Sequence, residues 1–106
     1  LNVLRGFEGK KLPYIVFIST GGAIYGDQEV FPADESHRIA PRSVYGLSKR
    51  VCEEYLDFWS REFGLEYAAL RLANVYGPRQ NPHGEAGVVA IFCQRSLKAE
   101  QCTIYG

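Results

Sequence analysis

The side chains with the most obvious chemistry lie close together. In "SVYGLSK", positions 43 to 49, Tyr45 and Lys49 stand four residues apart, just after a loop marked by Pro41. On a helix, that spacing stacks two side chains on one face, a turn apart. A free phenol ionises near ~10 and is a poor base at neutral pH. An ammonium one turn away favours the phenolate and so suits a tyrosine to general base work. Taken alone, the same two residues at this spacing are more often a solvated helix face. A second polar group stands in "FISTGGAIYGD", where an apolar run ends in Ser19, Thr20, Gly21 and Gly22. If the run is a strand, hydroxyls and open backbone stand at its carboxyl end, where open α/β sheets bind ligands. A plain strand-ending turn has the same composition.

These groups need elements to position them. Residues 13 to 19, "PYIVFIS", are apolar, β-branched and aromatic, which predicts a strand buried on both faces of a parallel sheet. The stretch that follows, to about Pro41, is rich in turn formers (Gly26, Asp27, Pro32, Asp34, Ser36) and reads as a long surface loop of the kind that is usually functional. From about Ser43 to Phe63, the residues Leu47, Val51, Tyr55, Phe58, Trp59 and Phe63 recur at steps of three and four. That period predicts an amphipathic helix ended by Gly64, its stripe serving as core or as a contact for a partner helix. "LEYAALRLA" (65 to 73) predicts a second strand, "NVYGPRQNPHGEAG" a loop, Val88 to Lys98 a helix and "CTIYG" a closing short strand. The alternation predicts an α/β fold with parallel strands and right-handed crossovers, without internal repeats or a linker.

Composition excludes several classes. Twelve basic and twelve acidic side chains balance, so there is no electrostatic footprint for nucleic acid or an anionic membrane. No apolar run approaches the ~20 residues that span a bilayer, and "LNVLRGFEGKK" lacks the features of a signal peptide. Cys52, Cys93 and Cys102 are odd in number, far apart and set among apolar neighbours, which predicts reduced, buried thiols and a cytoplasmic setting. His37 and His83 lack partners at ligand spacing, so no metal site is predicted. The absence of any methionine points to an excerpt of a longer polypeptide.

In combination, the order strand, "STGGAIYGD", loop, "SVYGLSK", helix, strand, "RLANVYGPRQ" resembles the central section of the extended short-chain dehydrogenase/reductase family, and most closely its UDP-glucose 4-epimerases, from about Leu12 to Gly106. The resemblance implies a Rossmann-like doubly wound parallel sheet. Of this the chain would be a central fragment of the NAD-binding domain, lacking the first βαβ unit and its glycine-rich turn, with the substrate-binding part starting from about residue 81. It implies NAD as cofactor and a UDP-sugar as substrate. Tyr45 would take the proton of the sugar's 4-hydroxyl as hydride passes to NAD, the 4-keto sugar would rotate, and hydride would return to its other face. Lys49 would bond the nicotinamide ribose and support the phenolate. Ser19 and Leu72 are expected beside the cofactor, Leu72 chiefly through its main chain. Asn74 is expected at the diphosphate, Gly87 and Val88 along the UDP, where N–H groups at a helix start suit an anion, and Tyr105 beside the uracil. Asn74 also makes an ordinary turn residue, and Tyr105 an ordinary core one.

This chain departs at Gly21 from many members of the family it resembles, which carry a serine or threonine there; Thr20, Ser19 in its place, or a water where the side chain is missing is expected to supply that hydroxyl. Related dehydratases carry an Asp-Glu pair where this chain has "GGA", which disfavours dehydration. Two alternatives stay open: another nucleotide-sugar enzyme, such as a dehydratase or UDP-glucuronate decarboxylase, and a non-catalytic nucleotide-binding relative. The intact Tyr45 and Lys49 argue against the second. The resemblance also implies a homodimer formed through the tyrosine-bearing helix.

Overall fold

A computed structural model describes residues 2–83 and 87–104. Its elements run α1 (Asn2–Arg5), β1 (Ile15–Thr20), α2 (Gly21–Ile24), α3 (Val44–Phe63), β2 (Tyr67–Leu72) and α4 (Val88–Leu97). Contacts divide the chain into two compact units, Leu1–Ala73 and Asn74–Gly106. In the first, β1 and β2 pair in parallel, Ile15 opposite Tyr67 through Thr20 opposite Leu72. The long helix α3 connects them, because a parallel pair needs a crossover rather than a hairpin.

Local sequence sets the bounds of α3. The Ser43 hydroxyl accepts the Gly46 N–H at 3.0 Å, satisfying one of the free donors at the helix start. At the other end Gly64 takes φ 68°, a left-handed conformation that glycine adopts without a Cβ penalty. Its N–H closes onto the Ser60 carbonyl at 3.0 Å, and the Leu65 N–H onto that of Trp59 at 3.3 Å. The core of this unit is Leu4, Leu56, Trp59 and Leu65, flanked by Leu12, Ile15, Phe17 and Tyr67. Helix α3 therefore covers the sheet face that carries Ile15, Phe17 and Tyr67.

Several expectations need correcting. The predicted stripe of α3 is not its buried face: Gly46, Glu53, Leu56 and Trp59 are buried, whereas Leu47, Val51, Tyr55, Phe58 and Phe63 are exposed. Only Trp59 of the predicted stripe is core, because the face against the sheet mixes polar and apolar residues and hydropathy alone misphases it. Strand β1 is covered on one face only among the described residues; Val16 and Ile18 alternate outward and stand about half exposed. The thiols are free, as expected, but not buried: Cys52 and Cys93 are exposed and Cys102 is intermediate. Of the strand expected at "CTIYG", the described residues 102–104 form no strand, and the remainder lies outside the described residues. The loop expected after β1 opens with the single turn α2, and α1 was not anticipated.

Candidate active site

Helix α3 brings Tyr45 and Lys49 to one face beside the carboxyl end of β1. The Lys49 ammonium donates to the Ile18 carbonyl at 2.8 Å and lies 5.0 Å from the centre of the Phe17 ring. It stands 5.7 Å from the centre of the Tyr45 ring, within the range of a cation–π attraction. One Lys49 proton is thus committed to the strand, and an ammonium carries three. Tyr45 remains 55% exposed, so its phenol is open to an incoming molecule. The approach is close because residue 46 is glycine: a Cβ there would overlap the Ala23 carbonyl oxygen and press on Pro41. The start of α3 consequently rests on the backbone of α2.

One turn beyond Lys49 lies Glu53, 6% exposed and at the centre of a polar cluster. It accepts from the Ser19 hydroxyl at 2.5 Å and from Arg71 through Nε at 3.1 Å and Nη2 at 2.7 Å. Arg71 continues through Nη1 to the Tyr25 hydroxyl at 2.9 Å. Burial pushes the Glu53 carboxyl up, but hydrogen bonds from Arg71 and Ser19, with the charges of Arg71 and Arg50, outweigh it and hold the carboxyl below its ordinary 4.5. Glu53 in turn raises the Arg71 guanidinium above its usual value, against the effect of burial.

The sequence-predicted residues fall into three groups. Tyr45, Lys49, Ser19, Thr20 and Leu72 belong to the first unit, the last three at the carboxyl ends of the two strands. The Ser19 hydroxyl points to Glu53, which leaves its main chain as what it can offer a cofactor. Thr20 is buried and precedes α2 without a side-chain cap bond. Gly21 faces the Arg71 carbonyl so closely that a Cβ would stand 2.9 Å from that oxygen, so a side chain there would require the backbone to shift.

Asn74, Gly87 and Val88 belong to the second unit. Asn74 is exposed. Gly87 starts α4 at φ 122°, where a Cβ would meet the Gln80 amide, and Val88 follows, 43% exposed. Tyr105 lies outside the described residues. Glu53, Arg71, Tyr25 and Gly46 were not singled out from sequence, although a carboxylate one turn past Lys49 on the same face was a readable signal.

An open groove of the first unit runs beside β2, lined by Tyr67, Arg71 and Leu72 together with Gly21 and Glu53, and includes neither Tyr45 nor Lys49. It follows the strand edge that has no neighbour among the described residues, and we assign it no ligand. Among those residues no group of three or more His, Cys, Asp or Glu gathers to hold a metal, and no helix is long and apolar enough to cross a membrane.

A parallel strand–helix–strand unit with a tyrosine and a lysine on the crossover helix defines a Rossmann-like α/β fold. Residues 1–106 match the NAD dependent epimerase/dehydratase family, and the chain belongs to it. A putative UDP-glucose 4-epimerase of Methanocaldococcus jannaschii is 49% identical over 106 residues, all of this chain and 35% of that protein. The UDP-glucose 4-epimerase of Thermotoga maritima, solved with UDP-glucose, is 55% identical with a TM-score of 0.81, over 88% of this chain and 30% of that one. The Thermus thermophilus UDP-glucose 4-epimerase, solved with NAD, is 47% identical with a TM-score of 0.85, over 99% of this chain and 34% of that one. The chain thus spans about a third of the length of these relatives.

Proposed function

We propose that the protein carrying this chain is an NAD-dependent epimerase acting at C4 of a UDP-hexose, interconverting UDP-galactose and UDP-glucose. One observation carries the reading: Tyr45 is open to solvent with the Lys49 ammonium beside its ring, at a strand's carboxyl end, in a chain close to UDP-glucose 4-epimerases. The residues present fit NAD, since Lys49 has protons free beyond its bond to Ile18 and the backbone beside Thr20 and Leu72 lies at the strand ends. When bound, NAD supplies the acceptor and donor of hydride. Tyr45 removes the proton of the 4-hydroxyl and returns it once the 4-keto sugar has presented its other face. Lys49 supports the phenolate and reaches a ribose hydroxyl. Ser19 and Leu72 offer main chain to the cofactor, and Thr20 offers the hydroxyl nearest to the place of the one missing at Gly21. Asn74, Gly87, Val88 and Tyr105 contact the UDP portion, with the sugar-nucleotide part beginning from about residue 81.

The working form is a homodimer, supported by the exposed α3 face of Leu47, Val51, Tyr55 and Phe58. Three free thiols suit the cytoplasm, where hexose interconversion for galactose metabolism would take place. The test is incubation of the full-length protein with NAD and UDP-galactose. Formation of UDP-glucose is expected; a 4-keto-6-deoxy product, or none, contradicts the proposal.

A further inference from the structure

Glu53 is a buried carboxylate that the proposed reaction does not use, yet it lies one turn past Lys49 and binds the strand residue next to the one Lys49 binds. Lys49 donates to the Ile18 carbonyl at 2.8 Å, and Glu53 accepts from the Ser19 hydroxyl at 2.5 Å. Successive turns of α3 are therefore fastened to successive residues of β1. Arg71, directly opposite Ser19 in the strand pairing, closes the clamp with a fork onto the same carboxylate, through Nε to Oε1 at 3.1 Å and through Nη2 to Oε2 at 2.7 Å. Its Nη1 reaches the Tyr25 hydroxyl at 2.9 Å, tying in the residue that follows α2. The charged groups around Glu53 are Arg50 of its own helix and Arg71 of β2, and the second holds it from both oxygens.

A buried ion pair is weak evidence for stability, because apolar residues of equal volume often hold a fold as well. What a forked pair adds is direction. A planar guanidinium and a carboxylate fit in few orientations, so they fix rotation and sliding where apolar packing would allow either. The helix held in this way carries the reacting phenol two turns from the clamp. We propose that Glu53, clamped by Arg71 and Ser19, is a positioning residue that sets the register of α3 on β1 and thereby places the Tyr45–Lys49 pair. The proposal rests on the epimerase reading above.

The test uses the full-length enzyme converting UDP-galactose. For Glu53→Gln, kcat falls about tenfold to a hundredfold, the scale of a misplacement near 1 Å. The KM and the content of bound NAD stay within about twofold. The acid limb of the kcat–pH profile moves to higher pH, because the ammonium no longer stands where it supports the phenolate, a displacement that a loss of stability alone does not produce. Arg71→Lys keeps the charge but not the fork; it moves the profile the same way and carries the test if Glu53→Gln does not fold. A wild-type kcat and profile in a folded variant overturns the proposal, as does a kcat loss with an unmoved profile. Failure of both variants to fold assigns the cluster to architecture and also overturns it. Tyr45→Phe is assayed alongside: full activity there sinks the epimerase reading itself, whereas loss there with an unaffected Glu53→Gln sinks only the positioning role.

Discussion

Gly46 carries no functional group, yet it decides how near the start of α3, which bears Tyr45, comes to the backbone of α2. Replacing it by alanine gains about 1 kcal/mol of helix propensity, but the new methyl overlaps the Ala23 carbonyl oxygen, which is backbone and cannot swing aside. Overpacking of that kind costs typically 1–3 kcal/mol. Gly46→Ala is therefore expected to lower the urea midpoint of the full-length protein and reduce turnover; an unchanged or raised midpoint contradicts the close approach. Glu53 yields a second prediction at this scale. Its carboxyl is held below 4.5 in the folded chain, so its ionised form contributes stability that is fully present above about pH 4.5 and lost as pH falls through the folded value. Wild type should exceed Glu53→Gln in stability by a margin that is constant near neutrality and shrinks below about pH 4.5; equilibrium unfolding across that range checks it. Tyr45 and Lys49 were legible because four residues in sequence is one turn in space. The spacing of Glu53 from Lys49 was readable in the same way, but its partners Ser19 and Arg71, and the Ala23 carbonyl that Gly46 meets, lie on other elements and only the fold brings them near.

Helix α3 is the element that unites the site, and its ends were readable because capping is local chemistry. Ser43→Ala removes the acceptor of the Gly46 N–H and should cost about 1 kcal/mol. Gly64→Ala forces a Cβ into φ 68° and should cost about 1–2 kcal/mol. The ends are far apart and share no partner, so the two losses should add in a double variant; thermal or denaturant unfolding reads all three. The face of the same helix was misread, because hydropathy counts apolar residues without asking what covers them. Leu47, Val51, Tyr55 and Phe58 are apolar and exposed, while the face on the sheet includes Glu53, buried by its bonds rather than by its hydropathy. Strands β1 and β2 were visible as apolar runs. A third run, "CTIYG", has a similar composition, yet its described residues 102–104 form no strand, and composition supplies no hydrogen-bond partner.

At the scale of the molecule, the exposed α3 face has a consequence for assembly. Sedimentation of the full-length protein is expected to give a dimer, and Val51→Asp, at a site already 42% exposed, should yield a folded monomer. A dimer unaffected by that charge places the interface elsewhere. The family could be recognised from the order of its motifs along the chain, whereas the clamp on α3 emerged only once strands and helix were set against each other. The proposed reaction centres on Tyr45 as the group that moves the proton of the sugar's 4-hydroxyl. The most direct measurement is the conversion of UDP-galactose to UDP-glucose by the full-length Tyr45→Phe protein, with unfolding and NAD content measured on the same sample. The account predicts a loss of at least about a hundredfold in kcat, with fold and bound NAD preserved. Turnover at the wild-type rate would contradict it.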